Sequence, residues 1–150
     1  MNTKTFSLRT ILTVTTGRLL TKGKTERDNG IGDLYEILGW MSGEKGLFTH
    51  QLPRVGEECK PWLLKWFPKL AVYGVQSSLD SLDKWLNSCK KSGDYGVGID
   101  MWLTEMKMMF PDVKDEYEVG KIPEENHKQI NPMEELVAMV GDKQIITVLV

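Results

Sequence analysis

The chain has 150 residues, 41% of them hydrophobic and 27% charged, which predicts a single globular domain over residues 1–150. Its formal net charge of -2 argues against a protein that wraps nucleic acid, because such proteins neutralise phosphates with a basic face. No stretch of the sequence has the apolar length that a membrane span requires, so we expect a cytoplasmic protein without membrane contact.

The N-terminal part of the chain carries the signals of a first helix. Ser7 is a candidate N-cap, and Gly17 is placed to end the helix in a left-handed turn. The β-branched residues of 11–16 are equally compatible with a strand, so both alternatives stay open. Residues 21–30 contain no apolar side chain and are predicted to form a mobile polar loop.

Two further helices are predicted in the first half of the chain. Apolar residues recur at helical spacing over 31–38, and Gly43 is placed to end that helix. The next helix begins near Pro53 and ends at Pro68. Pro61 lies inside it and is expected to kink it, because proline removes one backbone hydrogen bond.

The middle of the chain predicts two helices separated by a loop. Ser77 and Asp80 have the spacing of a capping box, and the apolar stripe of the helix that they open runs to Cys89. The glycine-rich residues 93–98 are predicted to form a loop, and apolar spacing then predicts a shorter helix over 102–110.

The C-terminal part predicts two strands and one helix. Residues 116–122 alternate weakly between polar and apolar and predict a strand. Asn131 and Pro132 are an N-cap followed by proline at the first helical position, and this helix should end at Gly141. Residues 144–150 are β-branched and apolar, and predict a strand that pairs with 116–122. The predicted fold class is therefore α+β, a mainly helical single domain with a small sheet that includes the C-terminal strand.

The segment 48–54 is the strongest candidate for a ligand-binding site. Thr49, His50 and Gln51 supply hydrogen-bonding groups beside a predicted helix start, where backbone groups are also unpaired. For His50 three roles stay open: a side chain that holds the turn, a ligand contact, or the base of a small hydrolase or transferase.

Arg54 adds a cation to this segment, and its forked guanidinium matches phosphate or carboxylate. A cation in the first turn of a helix opposes the helix dipole. Arg54 is therefore expected either to pair with Glu57 or Glu58, or to serve an anion drawn to that helix end.

Three other places add candidate contacts. Thr16 and Arg18 flank Gly17 in a turn that is either a helix C-cap or a loose phosphate-holding turn. Tyr95, in the predicted loop, and Trp40 supply aromatic rings that would stack on a ligand, and a plain turn is the alternative for the loop.

Metal and thiol chemistry are not indicated. His50, His127, Cys59 and Cys89 have no standard ligand spacing, so we predict neither a metal nor another cofactor. Both cysteines fall on predicted buried stripes, where a reduced thiol is usually inert. No catalytic residue is assigned.

Four blocks of sequence resemble a family of small, uncharacterised proteins from tailed phages and prophages. They read ILTVTTGRLL at 11–20, GDLYEIL at 32–38, LFTHQLPR at 47–54 and NPMEEL at 131–136. The resemblance spans most of the chain, with a poor match over 72–125. It implies a phage protein in an infected bacterial cell and no assigned enzyme activity.

The expected function is a non-enzymatic, homo-oligomeric binder that sequesters an anionic, nucleotide-derived signal of host defence. This step rests on analogy with phage proteins of similar size. The alternatives are a protein-binding inhibitor of a host factor and a hydrolase or transferase centred on His50. The inhibitor would use exposed Trp and Met side chains. The soft cluster of Met101, Met106, Met108 and Met109 is either core or a subunit interface.

Overall fold

The computed structural model describes residues 2–21, 31–89, 95–127 and 130–140. Six helices lie within these residues: α1 (Leu8–Thr16), α2 (Ile31–Ser42), α3 (Leu52–Trp66), α4 (Gln76–Cys89), α5 (Tyr95–Met109) and α6 (Pro132–Val140). Two strands, β1 (Lys4–Ser7) and β2 (Glu116–Val119), and short 3-10 helices at Thr49–Gln51, Pro68–Gly74 and Glu124–Asn126 complete them. The predicted α+β class is confirmed. Almost all of the predicted loop 21–30, the helix end at Gly141 and the strand over 144–150 lie outside the described residues.

The small sheet pairs the beginning of the chain with its later part. β1 and β2 are antiparallel, with Lys4 opposite Val119 and Ser7 opposite Glu116. The strand predicted near 116–122 is confirmed, but its partner within the described residues is β1, which sequence analysis missed. β1 has four residues and runs directly into α1, so its pattern is too short to be distinguished from a helix entry.

Residues 11–16 form a helix and not a strand. Ser7 caps α1 by accepting a hydrogen bond from the amide of Thr10 at 3.2 Å, and Gly17 ends it with a φ of 72°. The threonines fit because their hydroxyls bond to carbonyls one turn earlier: Thr13 Oγ1 donates to Arg9 O at 2.8 Å, and Thr16 Oγ1 to Leu12 O at 2.5 Å.

One hydrophobic core connects two groups of helices. α1, α2 and α3 pack against one another, and the 3-10 helix Pro68–Gly74 connects them to the α4–α5 pair. Trp102 lies fully buried at this junction, donating its indole N–H to Ser78 O at 3.0 Å and meeting Tyr73 edge to face. The largest fully buried side chains are Trp102, Tyr73, Ile11, Leu12, Leu20, Ile37, Leu38, Met41, Leu63, Leu70, Leu82 and Met106.

Two boundary predictions in the middle of the chain are wrong. α4 begins at Gln76, so Ser77 lies inside the helix and does not cap it. The predicted loop 93–98 is helical from Tyr95 onward. The glycine there serves packing, because a Cβ on Gly98 would lie 3.0 Å from the carbonyl oxygen of Trp85 in α4.

Three other predicted boundaries are confirmed. Gly43 follows α2 with a φ of 78°, and α3 continues through Pro61 to end at Trp66. Asn131 caps α6, accepting at Oδ1 from the amide of Met133 at 2.9 Å. Within the described residues, no helix combines the length and apolar character needed to cross a bilayer.

Candidate functional site

A cavity of about 500 Å³ lies where α1, α2 and α3 meet. Its wall is mainly aliphatic, and its polar side chains are Arg18 and Thr49, from two segments that the sequence singled out, together with Thr13 and Glu57. The lining residues are Thr13, Val14, Gly17, Arg18, Leu19, Ile31, Leu34, Leu38, Thr49, Leu52, Pro53, Gly56 and Glu57. The fold thus brings together residues 31 positions apart, which sequence spacing alone does not predict.

The turn after α1 positions Arg18 at this cavity. Its amide donates to Thr16 Oγ1 at 3.3 Å, and the amide of Leu20 donates to Thr13 Oγ1 at 3.1 Å. The threonine hydroxyls therefore hold the returning chain against the end of the helix. Of the two alternatives for this turn, the helix C-cap is the one observed, and Thr16 acts on the backbone of the turn.

The guanidinium of Arg18 forms an ion pair with Asp83 of α4 through Nη1. The two side chains are 39% and 43% exposed. Ion pairs with this much exposure are worth about 0–1 kcal/mol, because water screens the charges. Releasing Arg18 from Asp83 therefore costs little free energy.

Thr49 enters the cavity from the 3-10 helix Thr49–Gln51. The hydroxyl oxygens of Thr49 and Tyr35 are 2.5 Å apart, which ties this short helix to α2. The amide of Phe48 donates to Gln51 Oε1 at 3.0 Å and fixes the turn from its other end. The hydroxyl of Thr49 is therefore positioned by two elements.

Arg54 lies outside this cavity and bridges α3 to α6. Its Nε donates to Glu135 Oε1 at 2.6 Å and its Nη2 to Oε2 at 3.3 Å, a two-pronged contact. Its Nη1 also donates to Glu58 Oε1 at 3.0 Å. Pairing was one of the two sequence alternatives. It occurs with Glu58, and additionally with Glu135, which sequence analysis did not consider.

This contact shifts the proton affinity of both groups. The hydrogen bond from Arg54 holds the pKa of Glu135 below its ordinary value, although burial opposes the shift. Burial also acts to lower the pKa of Arg54, but the hydrogen bond and charge of Glu135, with the charge of Glu58, raise it. The side chain of Glu135 is 8% exposed and that of Arg54 is 21% exposed, so the pair is largely shielded from water.

His127 belongs to the same group of side chains, the Arg54 cluster, and was missed as a member of it. The cluster consists of Glu44, Arg54, Glu58, His127 and Glu135. Its Nδ1 lies 2.9 Å from Glu58 Oε2 and its Nε2 lies 3.3 Å from Glu44 Oε1, and the side chain is 3% exposed. These residues come from four separate parts of the chain, and no sequence spacing connects them. The one available signal was Arg54, a cation at a helix start, which indicated a negative partner, either a carboxylate or a bound anion.

Three of the remaining predicted contacts also bind other parts of the protein. His50 Nε2 lies 2.7 Å from Pro132 O, and Gln51 Nε2 donates to Ile130 O at 3.4 Å, so both contact the start of α6. Trp40 donates its indole N–H to Val119 O of β2 at 2.8 Å. Tyr95 lies in the first turn of α5, and its side chain is outside the described part of the structure.

Cys59 is buried and Cys89 is half-buried. Burial, with a smaller effect of the Glu58 charge, raises the pKa of Cys59 to about 12, which fits an unreactive core thiol. Over the described ranges, no three His, Cys, Asp or Glu side chains are arranged to hold a metal ion.

Residues 6–72 match the model of a protein family described as a domain of unknown function, DUF7736. This region includes the end of β1 and all of α1, α2 and α3, and therefore the whole wall of the cavity. The match is consistent with the expected resemblance to an uncharacterised family. No curated protein and no solved structure gives a significant match.

Proposed function

We propose that the protein binds an anionic, nucleotide-like small molecule in the cavity between α1, α2 and α3 and sequesters it without turnover. The observation that carries this proposal is an aliphatic cavity with Arg18 and Thr49 at its wall. Its volume, about 500 Å³, falls in the range of about 300–1,000 Å³ common for small-molecule sites. The biological setting that we propose is a tailed phage acting against a defence signal in the bacterial cytoplasm.

The chemistry of the wall supports a ligand with one flat apolar part and one anionic part. Leu34, Leu38 and Leu52 offer surface to a heterocycle, whereas Arg18 offers a fork of N–H donors to a phosphate. Thr49 adds a hydroxyl group that can bond to a ribose or phosphate oxygen. Arg54, His50 and Gln51 support the site indirectly by holding the segment that carries Thr49.

A thermal-shift panel tests the proposal with cyclic dinucleotides, cyclic trinucleotides and cyclic ADP-ribose isomers. A ligand at 100 times its dissociation constant stabilises the folded state by about 2.7 kcal/mol. The Arg18→Ala variant should lose the shift, whereas Arg9→Ala, which removes an arginine paired with Asp100 away from the cavity, should retain it. Absence of a shift with every compound would reject the proposal.

Sequestration and turnover are distinguished by recovering the ligand. After incubation and denaturation of the complex, a sequestering protein returns the compound intact and in a stoichiometric amount. A shortened or rearranged compound would instead support a hydrolase or transferase. The described geometry does not favour a reaction centred on His50, because its Nε2 already lies at hydrogen-bonding distance from the carbonyl of Pro132.

A protein-binding inhibitor is the second candidate, and one observation favours it. Met108 and Met109 near the end of α5 are 80% and 57% exposed, whereas Met106 is buried. Exposed methionines of this kind are common on adaptable protein-binding surfaces. Substitution of these methionines would abolish inhibition of a host factor and leave ligand binding at the cavity unchanged.

A further inference from the structure

The exposed face of α5 continues into a groove between α4 and α5. Met101 and Met108 are two helical turns apart and therefore share one face, where they are 44% and 80% exposed. Glu105 lies between them, on the side of this face that borders α4. Together, these residues and the groove form the α4–α5 surface.

The groove has a volume of about 610 Å³ and a fixed carboxylate at its wall. Glu105 Oε2 accepts hydrogen bonds from Ser81 Oγ at 3.0 Å and from Trp85 Nε1 at 2.9 Å. Two donors from α4 thus hold the Glu105 side chain in one orientation. A carboxylate held in this way presents its second oxygen without further loss of side-chain entropy.

The charge of the groove favours a cationic partner. Asp80 Oδ1 accepts a hydrogen bond from the side-chain Nε2 of Gln76 at 2.8 Å, and Lys84 is the one cationic residue in the wall. Among the described residues, neither Asp80 nor Glu105 forms an ion pair with lysine or arginine. The wall therefore carries two negative charges and one positive charge, and its net negative charge attracts an incoming cation.

We infer that the α4–α5 surface docks an amphipathic helix of a partner protein, with a lysine or arginine beside its apolar face. The partner's apolar side chains would cover Met101 and Met108, and its cation would pair with Glu105. A helix fits because two neighbouring helices form a groove of matching direction and width for a third. This inference is independent of the cavity at Arg18, which lies among α1, α2 and α3.

The test uses two labelled model peptides and measures fluorescence anisotropy with the full chain. One peptide is an amphipathic helix of leucine and lysine, and the other has glutamate in place of every lysine. We expect saturable binding of the lysine peptide below about 100 μM and at least tenfold weaker binding of the glutamate peptide.

Variants assign the binding to this surface. Met101→Ser combined with Met108→Ser, which removes apolar surface without adding charge, should weaken binding of the lysine peptide about tenfold or more, and Glu105→Gln should weaken it several-fold. The matched controls are Met133→Ser, at an exposed methionine on α6, and Glu118→Gln, at an exposed glutamate on β2, which should leave affinity unchanged.

Three outcomes would overturn the inference. They are no saturable binding of the lysine peptide, equal effects of the control and surface variants, and equal affinity for both peptides. A dimer in sedimentation that Met108→Glu dissociates would show instead that a second copy of the chain covers this surface. Circular dichroism of each variant establishes that it is folded before its affinity is interpreted.

Discussion

Replacing Arg54 with methionine removes the cation that links α3 to α6 while keeping most of the aliphatic volume. The substitution leaves Glu135, 8% exposed, and Glu58 without their arginine partner. Breaking a buried ion pair on one side costs about 3–5 kcal/mol, because an uncompensated charge stays in the protein. Since 21% of the Arg54 side chain is exposed, we expect the lower end, about 3 kcal/mol.

Urea unfolding followed by circular dichroism measures this loss. With an m value of about 2 kcal/mol per M, a loss of 3 kcal/mol moves the unfolding midpoint down by about 1.5 M. Lys45→Met serves as the control, because it removes an exposed cation and should change stability by less than about 0.5 kcal/mol.

The pH dependence gives a second, independent reading of the same contact. In the folded protein the pKa of Glu135 lies below its ordinary value, so the ionised form is the one that Arg54 stabilises. This stabilisation is fully present above the ordinary carboxyl pKa and is lost as pH falls through the lower, folded-state pKa. The stability difference between wild type and Arg54→Met should therefore be largest near neutral pH and shrink below about pH 4.

A double variant decides whether the cost comes from the unpaired carboxylate. Arg54→Met with Glu135→Gln should be more stable than Arg54→Met alone, because the second change removes the uncompensated charge. The reasoning is refuted if the free energy of unfolding of Arg54→Met lies within about 0.5 kcal/mol of wild type. It is also refuted if the loss in the double variant equals the sum of the losses in Arg54→Met and Glu135→Gln measured separately.

Three further predictions concern the packing of α5, the cavity and the buried thiol. Gly98→Ala should lower the free energy of unfolding by about 1–3 kcal/mol, measured in urea, because the new Cβ would lie 3.0 Å from Trp85 O. The control is Gly56→Ala in α3, where a Cβ meets open space, so this change should be neutral or stabilising. Equal effects of the two substitutions would contradict the close approach at Gly98. Glu57→Gln should tighten binding of an anionic ligand several-fold, because it removes a negative charge from the cavity wall. Calorimetry measures this affinity, and weaker binding by the variant would reject the placement of the anion in this cavity. Burial raises the pKa of Cys59 to about 12, so this thiol should resist iodoacetamide at pH 8 until the protein unfolds. Mass spectrometry measures the alkylation, and rapid modification of the native protein would contradict the burial of Cys59.

Helix ends were predictable wherever a capping residue close in sequence defines them. Ser7, Gly17 and Asn131 each act through backbone groups within three residues, so the sequence contains the whole interaction. Gly98 shows the opposite case. Its neighbours suggested a loop, but the reason for glycine there is the backbone of Trp85 in another helix, which no local pattern encodes.

The candidate site was predictable in part for the same reason. Arg18 and Thr49 were singled out by their turns, but their meeting at one cavity depends on how α1 packs against α2 and α3. Glu135 and His127 were missed as partners of the Arg54 cluster because 81 positions separate Arg54 from Glu135, and 69 separate His127 from Glu58. Only the unfavourable position of Arg54 against the helix dipole indicated a negative partner close by, which was either a carboxylate or a bound anion.

The contacts of segment 48–54 separate two effects that mutation of this segment would otherwise confuse. His50, Gln51 and Arg54 all contact residues 130–135, so their replacement should lower stability first and ligand affinity only through the position of Thr49. Arg18, in an exposed pair with Asp83, should behave in the reverse way, with a small change in stability and a large loss of anion affinity. Ligand binding by Arg54→Met should therefore be compared with wild type at an equal fraction of folded protein. If the binding defect disappears in this comparison, it comes from the smaller folded population, and Arg54 supports the fold and does not contact the ligand.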